Sequence, residues 1–425
     1  MNKNFITSAV IGTSLVLTAC NNDNNGSFEP SANTGVLQTV ASDYSSSSIQ
    51  LIGLDNEVPT VSSSQLTDTR SDYIVKGYKD NYYYIGRNEI DTMTRLNTAD
   101  IVNPELTFDT GEASDGESAN VHDLVFASDE KAYMIRYGDT KIWIVNPKAA
   151  DQENFKIGEI DISAYADDDG KPEATSGAIV DGKLFVAMQR LDFNDDNTPA
   201  KEGQNAYVAV FNVANDTEID TNLTDDEENL KGIELSVRNP ALLTTSEDGS
   251  LYLVAKGDIY SSYYSDRAPG YIGGIIEINT QDYSTSMIID DGDDENHPYG
   301  YIDNATIIDA NNGYFSGYFG WKDNSLYHFN PTTGEVTGAV ANIENTNITL
   351  LDTSPAGNAW VGIGIAEDPH VIILNSVQEA LHRLSLAKNP NTVTFVYQAE
   401  EDDFVKLREE TEEEVTEEEA AQPFE

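Results

Sequence analysis

One short pattern recurs along most of this chain, and it limits the possible folds more than any other feature. A run rich in β-branched and aromatic residues is followed by a turn, then a second run ending in a polar turn, then a third closing on Asn, Asp or Pro. Residues 122–126, 132–137 and 141–147 give the clearest instance. Seven such hairpins can be counted, their second runs ending near Asp43, Arg87, Arg136, Arg190, Lys256, Lys322 and Glu367, on average about 54 residues apart. Strands of four to seven residues repeating at this spacing predict an all-β, seven-bladed β-propeller. A lone four-stranded blade cannot bury both faces, whereas blades set radially bury each face against a neighbour. The first hairpin has no inner strand before it, and residues 392–397 form a spare strand near the other end. That strand is expected to complete blade 1 and close the ring. Residues 377–385 carry the one amphipathic pattern that reads as a short helical turn.

Charge restricts the partners. Of 425 residues 74 are acidic and 24 basic, a net charge of −50. So negative a surface repels phosphate backbones, so no nucleic acid is expected as a partner. Residues 399–425 form a separate tail, with 13 acidic residues and only Lys406 and Arg408 as basic ones between 400 and 425. Such a block of like charge is expected to stay solvated.

The single cysteine, Cys20, follows Lys3 and a short apolar run, in the layout of a secretory signal. Leu17-Thr18-Ala19-Cys20 resembles the lipobox of bacterial lipoproteins, in which the cysteine is acylated and becomes the new N-terminus. The expected organisation is therefore a signal peptide (1–19), a polar tether carrying acylated Cys20 (20–34), the propeller (35–398) and the acidic tail (399–425). Asn21 after the cysteine, by the same resemblance, implies the outer membrane, reached through the lipid anchor.

The runs Asn120-Val121-His122-Asp123, Lys131-Ala132-Tyr133-Met134-Ile135-Arg136-Tyr137-Gly138 and Leu184-Phe185-Val186-Ala187-Met188-Gln189-Arg190 resemble the secreted YncE-like (YVTN-repeat) propeller lipoproteins of Gram-negative bacteria. The stretch from Ile160 through Asp167-Asp168-Asp169-Gly170-Lys171-Pro172-Glu173 does so too. The resemblance covers most of residues 35–397 and is strongest over 70–215. It implies the propeller fold and an extracytoplasmic place, beside surface lipoproteins that assist uptake receptors. It implies little about chemistry.

In a propeller, the turn after the second strand and the turn leading into the inner strand meet at one mouth. Five of the seven second-strand turns carry Lys or Arg in a chain poor in both, which suits a well for an anionic small ligand, a metal chelate among them. The expected ligand contacts are Arg87, Arg136, Arg190 and Lys256 for charge, and His122, Tyr137, Tyr299 and Trp321 for stacking and polar contacts. The competing reading pairs each cation with a nearby Asp that merely pins its loop. Acidic runs at 167–173, 192–197 and 290–295 offer hard oxygen donors for calcium, and Asp167, Asp169 and Glu173 form the best set because a Gly turn lets them wrap one ion. The tyrosine-rich stretch 260–271 reads equally as a ligand-facing loop or as a packed loop. No HExxH, GxSxG or Walker A motif is present, and His328, inside a third strand, reads as structural. Three functions remain open. They are ligand capture for hand-over to a TonB-dependent receptor or other surface protein, a surface scaffold without small ligand, and a lactonase-like metal-dependent hydrolase built from Asn120, His122, Asp123, Asn239 and His297.

Overall fold

The computed structural model describes residues 33–397, apart from 99, 101–102, 114–115, 192–204, 224–229, 247 and 263–269. The signal segment, Cys20, most of the tether, the acidic tail and the acidic run at 192–197 lie outside the described residues. Seven antiparallel sheets follow one another along the chain. Blade 1 holds β1 (Asn33–Val40), β2 (Ser47–Gly53) and two edge pieces, β3 (Thr60–Val61) and β4 (Gln65–Asp68). Blade 2 holds β5 (Tyr73–Tyr78), β6 (Asn81–Gly86), β7 (Thr92–Asn97) and β8 (Leu106–Asp109). Blade 3 holds β9 (Val121–Ser128), β10 (Lys131–Arg136), β11 (Lys141–Val145) and β12 (Lys156–Asp161). In blade 4, β13 (Ala174–Val180), β14 (Lys183–Met188) and β15 (Tyr207–Asn212) share an outer edge made of β16 (Thr217–Glu218) and β17 (Ile233–Glu234). Blade 5 holds β18 (Pro240–Thr245), β19 (Leu251–Ala255), β20 (Gly274–Ile278) and β21 (Thr285–Asp290). Blade 6 holds β22 (Tyr301–Asp309), β23 (Asn312–Gly320), β24 (Asp323–Phe329) and β25 (Val336–Ala339). Blade 7 holds β26 (Ile348–Thr353), β27 (Ala359–Ile363), β28 (His370–Leu374) and β29 (Ala380–Ser385).

The last strand, β30 (Asn389–Tyr397), returns to blade 1 and pairs antiparallel with β1 from Asn33↔Tyr397 to Val40↔Asn389. The spare strand therefore closes the ring as expected, though it starts at Asn389 rather than Thr392. β1 likewise begins two residues inside the segment assigned to the tether. The helical turn expected at 377–385 is instead strand β29, whose Leu384 is buried while Leu381 and Arg383 face outward. Pairing with β28 overrides the local amphipathic pattern.

The core is divided among the blade junctions. Val36, Tyr82 and Tyr84 pack between blades 1 and 2, and Met134, Trp143 and Phe108 between 2 and 3. Ile135, Val186 and Phe211 fill the next junction, and Phe185, Leu253 and Ile276 the one after it. Val254 and Phe315 pack between blades 5 and 6, Leu326 and Val361 between 6 and 7, and Leu37, Trp360 and Val393 between 7 and 1. This explains why middle strands such as β6, β19 and β27 are buried along their whole length, while the outer strand β12 alternates. A strand sandwiched on both faces reads as an unbroken apolar run, and one with a wet face shows period two.

Near the axis, a polar clasp spans each junction in turn. Thr392 Oγ1 accepts the Val75 N–H at 3.1 Å, Lys76 Nζ meets Asp123 at 2.6 Å, and Asp123 accepts the Gly177 N–H at 3.0 Å. Ser176 Oγ accepts the Leu243 N–H at 3.0 Å, and Lys256 pairs with Asp303 at 2.8 Å. The Thr306 and Thr353 hydroxyls are 2.6 Å apart, and Thr349 Oγ1 donates to the Pro390 carbonyl at 2.6 Å. Gly77 is required at one of these close approaches, because a Cβ there would lie 2.6 Å from Thr394 Oγ1.

Asp352 also belongs to this zone. Burial pushes its carboxyl up to about 6, against the pull of the Thr353 N–H and the Lys76 ammonium. The folded state therefore holds this proton more tightly than the unfolded chain does, and the corresponding stability disappears as pH rises from about 4 through 6. Asp352→Asn is expected to raise the melting temperature at pH 8 and leave it unchanged at pH 4, which melts across that range will check. Equal curves for both proteins at every pH would show that Asp352 carries no such penalty.

Candidate functional site

One backbone hydrogen bond, repeated in four consecutive blades, builds the mouth. The residue just after the second strand donates its N–H to the carbonyl of the residue just before the inner strand. The pairs are Arg87 to Asp72, Tyr137 to Asn120, Gln189 to Glu173 and Lys256 to Asn239, at 3.0–3.2 Å. Arg87, Tyr137, Gln189 and Lys256 are thus structurally equivalent positions on a single wall. Asn120, Glu173 and Asn239 all take left-handed backbone, with φ of 48°, 47° and 58°. Asn tolerates that region well, whereas Glu adopts it only at a cost.

Side chains along this wall are linked. The His122 ring stacks on Tyr137 with centroids 4.3 Å apart, and the Tyr137 hydroxyl donates to Gln189 Oε1 at 3.0 Å. Gln189 Nε2 donates to Asn239 Oδ1 at 2.6 Å, and Asn239 Nδ2 to the Gly257 carbonyl at 3.3 Å. Burial, reinforced by the Arg87 charge, drops the His122 imidazole well below its usual range and keeps it neutral at pH 7. Burial also lifts the Tyr137 phenol well above its usual value, helped by Tyr260, Glu173, Asp169 and Asp167. Burial alone would lower the Lys256 ammonium, but Asp303 beside it outweighs this, with a further upward push from Tyr260. Tyr260 therefore lies within electrostatic reach of both Tyr137 and Lys256.

Arg87, His122, Tyr137 and Lys256 are accordingly brought to one region, and each cation has a carboxylate partner there. Arg87 Nε lies 3.0 Å from Asp72, as Lys256 lies 2.8 Å from Asp303. Four of the eight expected contacts lie elsewhere. Arg136, fully buried, pairs with Asp139, donates to the Glu112 carbonyl and lies over the Trp143 ring at 4.1 Å. Arg190, also buried, donates to the Asn205 carbonyl at 3.3 Å and lies over Tyr207 at 5.2 Å. They sit one residue before and one residue after the wall positions Tyr137 and Gln189. Arg136 ends strand β10, where a one-residue offset turns the side chain to the other face, while Arg190 is turned by a left-handed backbone with φ of 50°. Tyr299 packs edge-on against Phe315 and Tyr327 in the junction of blades 5 and 6. Trp321 is 64% exposed on the turn between β23 and β24. Neither joins the wall.

The hydrolase constellation does not assemble. Asp123 is taken up by Lys76, Asn239 by Gln189, and His297 stacks on Tyr271. His328 is held by Thr337 and Asn312, in keeping with a structural role. Tyr271 and Tyr260, at the two ends of the tyrosine-rich stretch, pack against Ile259, Tyr301 and Tyr318. Among the described residues, one group of three or more His, Cys, Asp or Glu is close enough to share an ion: Asp167, Asp169 and Glu173, with ligand atoms within 4.8 Å of one another. Burial, then Asp167 and Asp169, push the Glu173 carboxyl up to about 9. Sequence reasoning missed Gln189 and Asn239 as a bridge between blades; the signal available was their matching place in the repeat.

No protein-family model matches the chain, and no curated protein matches its sequence. Solved structures do match. A Lactobacillus plantarum protein is 13% identical, covering 85% of this chain and 99% of its own, with a TM-score of 0.55. A candidate 6-phosphogluconolactonase from Bacteroides fragilis is 13% identical over 86% and 98%, with a TM-score of 0.54. Hydrazine synthase of Kuenenia stuttgartiensis is 11% identical over 86% and 99%, with a TM-score of 0.51. The likeness is one of fold.

Proposed function

We propose that this is an outer-membrane-anchored propeller of the YncE-like kind that binds a small anionic ligand, such as a metal chelate, at its mouth without transforming it. The observation that carries this reading is the wall of equivalent positions, where two cations flank the stacked His122–Tyr137 pair. The Arg87–Asp72 pair is partly exposed, and exposed pairs contribute roughly 0–1 kcal/mol. A ligand carboxylate can therefore take the place of Asp72 at little cost and approach Lys256 beside Asp303, while a flat ligand face meets the aromatic rings. Both ends of the described chain support an outward-facing mouth. Asn33 and Tyr397 pair with each other at the end of the ring away from the Ala41–Ser46 turn, so a tether from Cys20 would join the face opposite the mouth. At that far end a cavity of about 450 Å³, lined by residues including Leu54, Trp360 and Phe395, gathers no charged cluster.

Calorimetric titration of the full chain in detergent with ferric citrate, and with citrate alone, tests this. Binding stronger than about 1 mM is expected, weakened at least tenfold (about 1.4 kcal/mol) in an Arg87→Ala, Lys256→Ala double variant. No binding of either probe, or unchanged affinity in the variant, would overturn the reading. A second reading, docking of a surface protein, rests on a different observation. Tyr44, Trp321 and Ile365 are exposed on the second-strand turns of adjacent blades 1, 6 and 7, with Phe319 exposed near the end of β23. Exposed apolar side chains at this end of three neighbouring blades suit a protein partner such as an uptake receptor.

A further inference from the structure

We infer that the loop before β13 is a calcium site, with Asp167, Asp169 and Glu173 as its ligands. Two independent observations meet there. The first is convergence: one carboxylate oxygen from each residue lies within 4.8 Å of the others. The second is an orphaned acceptor. Glu173 is 1% exposed, its Oε2 accepts the Leu191 N–H at 3.2 Å, and its buried Oε1 has no hydrogen-bond partner among the described residues. A buried oxygen left in that state is costly unless a cation or proton occupies it.

The surrounding chain is shaped accordingly. Asp167 and Asp169 stand on a tight turn, in which Gly170 with φ of 87° donates its N–H to the Asp167 carbonyl at 3.0 Å. Lys171, the nearest cation in sequence, pairs with Glu117 at 3.4 Å. In the neighbouring blades the position of Glu173 is taken by Asn120 and Asn239, which suit the left-handed backbone better. A carboxylate is kept here despite the conformational cost.

The donor set selects the ion. With oxygen donors alone and no imidazole or thiolate, the site favours calcium, magnesium or manganese over zinc or copper. Three carboxylates gathered within 4.8 Å of one another suit calcium, which takes several carboxylate oxygens in a flexible geometry, whereas magnesium is usually held by one or two. Asp167 and Glu173 are buried, while exposed Asp169 opens one side to water that can complete the six to eight ligands calcium takes. A bound ion would also tie two segments of the mouth together. Glu173 accepts the Gln189 N–H through its carbonyl and the Leu191 N–H through its side chain, and Gln189 in turn holds the Tyr137 hydroxyl.

The full chain in detergent is titrated with Ca²⁺, and separately with Tb³⁺ under tyrosine excitation, with no anionic ligand present. The result is thus independent of the chelate reading. A calcium-dependent rise in melting temperature and sensitised terbium emission are expected, both weakened at least tenfold in midpoint by Glu173→Gln. Asp169→Asn, on an exposed side chain whose Oδ1 accepts the Lys171 N–H at 2.9 Å, a bond asparagine can keep, is expected to give the same loss and covers the case where Glu173→Gln fails to fold. Asp294→Asn, in the acidic run at 290–295, is expected to behave as wild type. No thermal shift or emission up to about 10 mM Ca²⁺, unchanged binding in Asp169→Asn, or an equal loss in Asp294→Asn would overturn the assignment, the last by showing diffuse counter-ion binding.

Discussion

A chain lacking residues 389–397 is expected not to fold. The deletion removes the inner strand of blade 1, paired along its whole length with β1, and opens two junctions at once. Val393 and Phe395 leave the Leu37 and Trp360 cluster on one side, and Val396 leaves the Val36 and Val75 cluster on the other. Each large apolar side chain so exposed costs about 1.5–3 kcal/mol, counting both those removed and those uncovered. With the lost strand ladder the total is on the order of 10 kcal/mol, comparable with the entire stability of an ordinary domain at about 5–15 kcal/mol. Loss of the cooperative thermal transition is the readout, and a chain ending at 398 serves as the control that keeps it. A cooperative melt retained in the deletion would mean that the ring does not depend on this strand for closure.

The second large effect is expected at Arg136. Its guanidinium is inaccessible to solvent, lies over Trp143, and holds Asp139 and the carbonyls of Thr110 and Glu112. Arg136→Ala would leave Asp139 buried without this counter-charge and two carbonyls without this donor, a loss of about 3–5 kcal/mol. Arg136→Lys would keep the charge but lose the planar fork, so it should recover only part of that loss. Replacing both partners, as Arg136→Met with Asp139→Leu, should destabilise less than Arg136→Ala alone, because no isolated charge remains. Urea denaturation of the three variants decides this. An Arg136→Ala protein as stable as wild type would return that side chain to the list of ligand contacts.

The number of blades and the closing strand were legible because they depend on local patterning and on counting. Seven hairpins leave one strand short at the start, and residues 392–397 are the surplus at the end. The mouth was legible only in part. Arg87 and Lys256 fell on the wall, but Arg136 and Arg190 did not, though all four lie at or beside equivalent turns. The difference is one residue of phase. Sequence spacing located the turns, while the wall position depends on where each second strand stops pairing, and that is set by the ladder. The bridge between Gln189 and Asn239 escaped notice for a related reason, since an uncharged amide becomes a contact only when two blades place its partner opposite.

The acidic loop shows the division most plainly. Sequence spacing alone picked out Asp167, Asp169 and Glu173 from three acidic runs, because a glycine turn brings near neighbours together through short-range geometry. The run at 290–295 is equally acidic, yet among the described residues no three of its carboxylates come close enough to share an ion. By itself the sequence determined the repeat, the strand content, the net charge and the local turns, all properties of short stretches. Only the tertiary structure decided which cations turn inward, which carboxylate loses its solvent and which amides bridge blades. Those depend on the packing of blade against blade, between residues about 50 positions apart, whose separation in sequence carries no information about which way a side chain points.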